Sequence, residues 1–295
     1  MIAAGIVTHE PDLDRLRLNL EGICPQVDSV WVADNGSSNA AGISALVADF
    51  GNARILPLER NLGVATALNR LAEHAEADGA GWLVTLDQDS VSPAGMVEEL
   101  YSRCSERIGI VTPYIVDRNK MTPEQHRALA LPPVEQYRQP ARRGAITSGS
   151  LVSLRVWREV GGYDDAFFID YVDYDFNQRV FEAGYLIVRA NRTFLLHEVG
   201  RATRTWLRIP RKDLSGRWAV EPFYTFGHSP ERCYFKARNR VLFTRKHGRR
   251  LGITHEGIWQ IPQQVALTVL FESQRPAKLA AFARGVRDGM RMPLG

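Results

Sequence analysis

The sequence predicts an α/β fold: a mainly parallel sheet flanked by helices, followed by a helical C-terminal extension. Three observations predict it. Strand-like and helix-like segments alternate from residue 3 to residue 87. Their spacing suits βαβ units. Polar residues gather where each predicted strand ends.

The elements follow in order. "AAGIVT" (3–8) reads as a strand and "DLDRLRLNLEGI" (12–23) as a helix with Leu13, Leu16 and Leu20 on one face. "VDSVWVAD" (27–34) is a second strand that stops at the turn signal "NGSS". "AGISALVADF" (41–50) is a helix, "ARILPL" (53–58) a strand, "VATALNRLAEHAEA" (64–77) a helix and "GWLVTLD" (81–87) the fourth strand. Sheets of this kind bind ligands beyond the carboxyl ends of their strands. His9 and Glu10, Asp34 and Asn35, Asn61, and Asp87 with Asp89 stand at four such ends. A helix within 93–106 and a strand at 108–116 come next, then a long loop at 117–142. Residues 145–185 form a dense strand, helix and loop region; 200–232 are basic and rich in Trp and Pro; the tail from about 233 is mostly helical. The boundary between a catalytic domain and a basic, mainly helical extension is expected at residues 1–200 and 201–295.

Composition narrows the class. The chain has 295 residues, enough for a substantial core, and a formal net charge of +4. A mildly basic balance suits phosphate-bearing ligands or an anionic membrane surface. Three scattered cysteines, Cys24, Cys104 and Cys233, offer no CxxC spacing and fit a reducing cytoplasm. "MIAAGIVTHEP" has neither a basic leader nor a long apolar run, and "VALTVLF" (265–271) is too short to span a bilayer. The expected location is cytoplasmic, with peripheral contact on the inner face of the cell membrane left open.

"VTLDQDS" (84–90) ends an apolar strand in two carboxylates. On an extended chain residues i and i+2 face one side, so Asp87 and Asp89 can converge on one ligand. The plain alternative is a solvated turn capped by Ser90.

Seven blocks together resemble the family 2 glycosyltransferases of GT-A (Rossmann-like) fold, and within them the rhamnosyltransferase-like group. They are "VADNGSS" (32–38), "RNLGVATALNRLA" (60–72), "DQD" (87–89), "ITSGSLVS" (146–153), "VGGYDDAFFIDYVDYDFNQR" (160–179), "AGY" (183–185) and "HEVG" (197–200). The resemblance spans roughly residues 3–200. Val172 departs from the Glu-Asp pair of many relatives, and "FIDYVD" is similar to the rhamnosyltransferase form. The resemblance implies an inverting, metal-dependent transfer of a sugar from a nucleotide-sugar donor, dTDP-L-rhamnose first, to a saccharide or lipid-linked saccharide acceptor in cell-surface polysaccharide synthesis.

It also assigns roles. Asp173 is the expected general base. Asp89 is the expected ligand of Mg²⁺ or Mn²⁺, joined by His197, with Asp87 on the ribose or in the metal shell. Asp34 is placed against the nucleotide base, where the alternative is an Asx turn closing "DNGS". Thr8 adds a backbone contact, and Asn61 and Gly63 a turn close to the nucleotide. Asn69 is a donor contact or a helix-surface amide. Ser148 and Gly149 of "TSGS" line a substrate pocket. Asp170 or Asp175 holds acceptor hydroxyls or orients Arg179. Arg238, with Asn239, reaches the rim of the site. The basic segment 230–250 is either a membrane-facing amphipathic helix or a docking helix with a solvated basic side. A homodimer contact through the last helices stays open. Nucleic acid is not an expected partner, because aromatic and basic residues do not interleave as a stacking platform requires.

Three rivals remain. A relative using a UDP- or GDP-sugar shares the same fold. A nucleotidyltransferase would want a Gly-rich basic loop after the first strand, and "THEPDLDRL" supplies none. A non-catalytic nucleotide-sugar-binding protein would bind without turnover. No GxGxxG follows the first strand, which disfavours a dinucleotide enzyme.

Overall fold

The computed structural model describes residues 1–118, 121–137, 144–197, 203–212, 218–225, 227–251, 257–258 and 260–294. It divides into two compact units, Met1–Val199 and Gly200–Gly295.

In the first unit eight strands form one sheet in the order β3-β2-β1-β4-β7-β5-β8-β6. They are β1 (Ile2–Thr8), β2 (Ser29–Asn35), β3 (Ala53–Leu58), β4 (Trp82–Asp87), β5 (Ile108–Asp117), β6 (Val134–Gln136), β7 (Leu151–Ser153) and β8 (Leu186–His197). β1 pairs in parallel with β2 and β4, β2 with β3, and β5 with β8. β7 runs antiparallel between β4 and β5, and β6 antiparallel to β8. The parallel strands read as near-continuous apolar runs because helices cover both faces. Ala4, Ile6, Val30, Val32, Val84 and Leu86 bury one face against Leu16, Leu20 and Ile23 of α1 (Leu13–Ile23) and Ile43, Leu46 and Val47 of α2 (Ala40–Ala48). Each such Leu or Ile contributes about 1.5–3 kcal/mol on burial. On the other face Gly5 lets α3 (Val64–Ala77) approach closely: a Cβ there would sit 3.1 Å from Leu71 Cβ. Asp12 caps α1 by accepting from the backbone N–H groups of Asp14 and Arg15.

Three short or medium helices complete the frame of the site: α4 (Met96–Tyr101), α6 (Leu154–Glu159) and α7 (Val172–Glu182). Among its described residues, the loop expected at 117–142 contains two elements the pattern did not signal. They are β6 and a one-turn helix α5 (Pro123–Arg127), the latter set by a Thr122–Gln125 capping box.

The second unit opens on an antiparallel ribbon, β9 (Thr203–Lys212) with β10 (Trp218–Thr225), where the sequence showed only basic and aromatic composition. Three helices follow: α8 (Pro230–Leu251), α9 (Gln260–Phe271) and α10 (Arg275–Arg291). α8 buries Cys233, Ala237, Val241, Leu242 and Phe243. Its close partner is α10, where a Cβ on Gly285 would lie 2.4 Å from Tyr234 O and one on Gly289 2.5 Å from Arg238 O. Cys233, Ala237 and Val241 of α8 thus face α10 within the unit. A buried ion pair, Lys278–Glu272 at 2.8 Å, ties the start of α10 to the end of α9, and Thr225 Oγ1 donates to the same carboxylate at 2.9 Å. Among the described residues no helix is long and apolar enough to cross a membrane.

Candidate functional site

The carboxyl edge of the sheet is built by register. Thr8 pairs with Asp34 across β1–β2, and Val7 pairs with Asp87 across β1–β4, so three strand ends stand abreast. Asp117 and His197 end β5 and β8 side by side. The loops above this edge are stitched together. Gln88 Oε1 accepts from the His9 N–H at 2.8 Å, and Glu10 accepts from the Ser38 N–H and hydroxyl, each at 2.7 Å.

At the end of β4 the chain turns sharply, with the Ser90 N–H donating to Asp87 O at 3.2 Å. The turn is held from below: Asn19 of α1 donates to Asp87 O at 2.7 Å, and the Asp87 N–H donates to Ser148 Oγ at 3.0 Å. Ser90 Oγ lies 2.7 Å from Ser148 Oγ and 3.2 Å from His197 Nδ1. The structure therefore brings His197 to the residue next to Asp89, across more than a hundred residues of chain. An Nδ1 contact fixes the ring and leaves Nε2 as the nitrogen to meet a ligand. The turn reading of "DQDS" is realised, and the turn stands at the carboxyl edge of the sheet.

The "FIDYVD" segment is backbone-strained. Phe168, Asp170 and Tyr171 have φ of 57°, 60° and 67°, where L side chains cost roughly 1–2 kcal/mol each. Strain of this kind persists where surrounding structure enforces it. The enforcement here comes from α3: Phe168 O accepts from the Val64 N–H at 2.6 Å. α7 begins at Val172, directly after Tyr171. Asp173, in its first turn, accepts from the Tyr174 N–H at 2.9 Å. Burial pushes the Asp173 carboxyl up to about 7, with the negative charges of Asp170 and Asp87 adding to the shift. The same interaction shows that Asp173, Asp170 and Asp87 share one electrostatic neighbourhood. Asp175 has a different duty. It is fully buried and paired with Arg179 at 2.7 Å, and Arg179 also donates to Val160 O at 2.6 Å.

Several sequence expectations gain a different physical basis. Gly63 has the positive φ expected of it, +88°, but its missing Cβ makes room for Phe168, whose Cδ2 would lie 2.5 Å away. Asn61 is exposed, and its Oδ1 accepts from the Gly63 N–H and the Asn35 amide. Asn69 spends its amide on the fold. Its Oδ1 accepts from Trp157 Nε1 and the Tyr163 N–H, and its Nδ2 donates to Tyr163 O and Asp165, so the amide clamps α3 to the 157–165 segment. Ser148 is completely buried, and its hydroxyl supports Asp87 and Ser90. A Cβ on Gly149 would meet Leu195 at 2.9 Å, so its role is also internal. Thr8 is buried and donates its hydroxyl to Ala33 O at 3.1 Å. Asp34 is 4% exposed and accepts from the Ser37 N–H at 3.0 Å, which is the Asx turn. Arg238 lies in the second unit, with its guanidinium 4.8 Å over the Phe235 ring. Residues 198–200 of "HEVG" lie outside the described residues.

Residues not singled out from the sequence also shape the site. Tyr163 is buried against Phe176, with ring centroids 4.3 Å apart, and burial raises the pKa of its hydroxyl. Gln88, Ser90 and Asn19 hold the strand-end turn. Only Ser90 carried a local signal, its place after the DxD.

Carboxylate oxygens with one imidazole near the β4 end are a donor chemistry that suits a hard divalent cation. Among the described residues no three His, Cys, Asp or Glu side chains converge as a metal-binding group.

Comparison with known proteins places this geometry in a family. The sequence model described as "Glycosyl transferase family 2" matches residues 6–157, more than half of the chain. The chain is 27% identical to the dTDP-rhamnosyl transferase RfbF of Shigella flexneri over 83% of its own length and 80% of that protein's. It is 29% identical to an N-acetylglucosaminyl-diphospho-decaprenol L-rhamnosyltransferase of Mycobacterium tuberculosis over 68% and 76%. Among solved structures, the crystal structure of GalNAc-T7 with UDP, GalNAc and Mn²⁺ aligns with 99% of this chain at a TM-score of 0.60 and 13% identity. The chain spans 56% of that structure, and a likeness at that identity speaks for the α/β fold alone. The chain is a glycosyltransferase and belongs to glycosyl transferase family 2.

Proposed function

We propose that the protein transfers L-rhamnose from dTDP-L-rhamnose, with inversion, to a hydroxyl of a saccharide or lipid-linked saccharide used in cell-surface polysaccharide synthesis. The carrying observation is Asp173: a carboxyl lifted to about 7, on the first turn of α7, sharing its field with the acids at the end of β4. The likeness to two curated rhamnosyltransferases supports the sugar, and the "FIDYVD" block supports it independently of them.

Inverting transfer needs a base on the acceptor side and charge stabilisation on the leaving side. Asp173 takes the proton of the acceptor hydroxyl as its oxygen attacks the anomeric carbon. The bond from that carbon to the diphosphate breaks on the opposite face, and dTDP leaves. A pKa near 7 keeps Asp173 ionised in about half the molecules at neutral pH and still basic enough to accept the proton. Asp170 stands beside it to hold acceptor hydroxyls. Asp89 and His197 would hold Mn²⁺ or Mg²⁺, with Asp87 in its shell. The ion supplies Lewis-acid stabilisation to the departing diphosphate. Asp34 and the chain around Thr8 frame the base, and the Asn61 turn frames the ribose side. The first unit is then the catalytic domain.

A calorimetric titration with dTDP-L-rhamnose, UDP-sugars and GDP-sugars, with and without Mn²⁺, tests the donor and the cation together. Tightest binding of dTDP-L-rhamnose in the presence of Mn²⁺ is expected. A UDP- or GDP-sugar binding at least tenfold tighter would overturn the donor assignment, and equal affinity without the ion would overturn the cation.

A further inference from the structure

The second unit carries an exposed surface that the transfer reaction does not use. On β9 the exposed residues Arg204, Trp206 and Arg208 alternate with the half-buried Thr205, Leu207 and Ile209, so the first three share one face. Across the ribbon Tyr224 pairs with Arg204 and Val220 with Pro210, which places Tyr224 and Val220 on that same face. Trp206 is 76% exposed, Trp218 70% and Val220 60%. The ribbon face continues onto α9. Phe271 lies 5.4 Å from the Trp206 ring, and Leu270 beside it is 56% exposed. The sequence of α9, "QIPQQVALTVLF", is largely apolar, yet Thr268 is the one residue it buries. Exposed apolar surface gathered in this way marks a contact site.

Charge decides what covers it. Nineteen of the chain's 37 Lys and Arg but six of its 33 Asp and Glu fall in residues 200–295, an excess of thirteen positive charges. Residues 1–199 are correspondingly acidic. Tryptophan and tyrosine favour the membrane–water interface, and arginine beside them keeps its head among anionic headgroups while its stem packs on apolar surface. A symmetric contact with a second copy would instead bring two strongly basic units together.

We propose that the β9–β10 ribbon, with the end of α9, docks on an anionic lipid bilayer, seating Trp206 and Trp218 at the headgroup level and Arg204 and Arg208 against lipid phosphates. This moves the membrane contact away from α8, whose apolar stripe is buried, and it stands whichever sugar is transferred.

The test is co-sedimentation of the full chain with phosphatidylcholine vesicles, with and without phosphatidylglycerol, read alongside tryptophan emission. The wild type is expected to bind only the anionic vesicles, with a blue-shifted emission, and to release as salt rises. The R204Q/R208Q and W206S/W218S variants are each expected to partition on the order of tenfold more weakly. Their thermal unfolding should match wild type, since the altered side chains face solvent; L270S on α9 gives a second, independent reading. No binding to anionic vesicles would overturn the proposal, as would unchanged binding by the folded variants. A solution dimer that W206S/W218S dissociates would assign the face to a second copy and overturn it equally.

Discussion

Replacing Gly63 by alanine separates two views of the loop between β3 and α3. The residue sits at φ +88°, and an added Cβ would lie 2.5 Å from Phe168 Cδ2 and 2.7 Å from Phe168 O. Ordinary contact begins near 3.4 Å, so the neighbour must retreat by most of an ångström. At φ +88° and ψ 163° the backbone lies in a region essentially reserved for glycine, at a cost of roughly 1–3 kcal/mol for a residue with a Cβ. Overpacking against a carbonyl already bonded to the Val64 N–H adds roughly 1–3 kcal/mol. A total of about 2–6 kcal/mol lowers Tm by roughly 4–24 °C for a unit of this size. Whatever strain is relieved by moving Phe168 passes into Asp170 and Asp173, and a misplacement of about 1 Å lowers kcat on the order of 100-fold. The assay is kcat and donor KM with dTDP-L-rhamnose, paired with thermal unfolding. Loss of Tm and kcat with donor KM little changed is expected. Gly79 is the control, because its φ is +86° with nothing within 4 Å of an added Cβ; Gly79→Ala should cost about 1 kcal/mol and leave kcat intact. Unchanged Tm and kcat in Gly63→Ala would refute the reasoning. A raised donor KM with normal kcat would put the nucleotide, not Phe168, against Gly63.

Further predictions follow from the same geometry. The acid limb of kcat/KM should lie near pH 7, with the rate falling tenfold per unit below it, since Asp173 must be ionised to act; Asp170→Asn removes a raising charge and should move that limb to lower pH in a pH–rate profile. Asn69→Ala leaves Trp157 Nε1 and the Tyr163 N–H without their acceptor and should cost about 3 kcal/mol in a urea titration while donor affinity stays the same. His126 is buried between Tyr114 and Phe194, and burial, with Arg127 and Arg189 nearby, holds its pKa below the ordinary value. Its folded form stays neutral where the unfolded chain takes a proton. No effect arises above about pH 6.5, and stability falls as pH drops below it. Thermal unfolding of His126→Phe should lose that part of the acid sensitivity.

Much of the first unit was legible because its signals are local. Trp82–Leu86 is an apolar run that stops at acids, and 64–77 has helical spacing; neither depends on distant residues. The polar strand ends pointed to the correct edge because parallel pairing aligns them. What escaped was long-range. Nothing in "LVS" says that Leu151–Ser153 inserts antiparallel between β4 and β5, yet that insertion puts Ser148 under Asp87. Asn69 looked like a helix-surface amide, because its partners Trp157 and Tyr163 lie about ninety residues away. Gly63 announced its positive φ without naming Phe168 as the cause. The β9–β10 ribbon stayed hidden for a different reason: exposed on its charged and aromatic face, it lacks the apolar alternation by which a half-buried strand is recognised.

The most direct measurement on the central claim is a paired one on Asp173→Asn: steady-state turnover, and calorimetric binding of dTDP-L-rhamnose with Mn²⁺. The amide keeps the shape and cannot take a proton, so turnover should fall at least a thousandfold, about 4 kcal/mol of barrier, while donor affinity stays within a few-fold of wild type. Turnover within tenfold of wild type would contradict the assignment of Asp173 as the base.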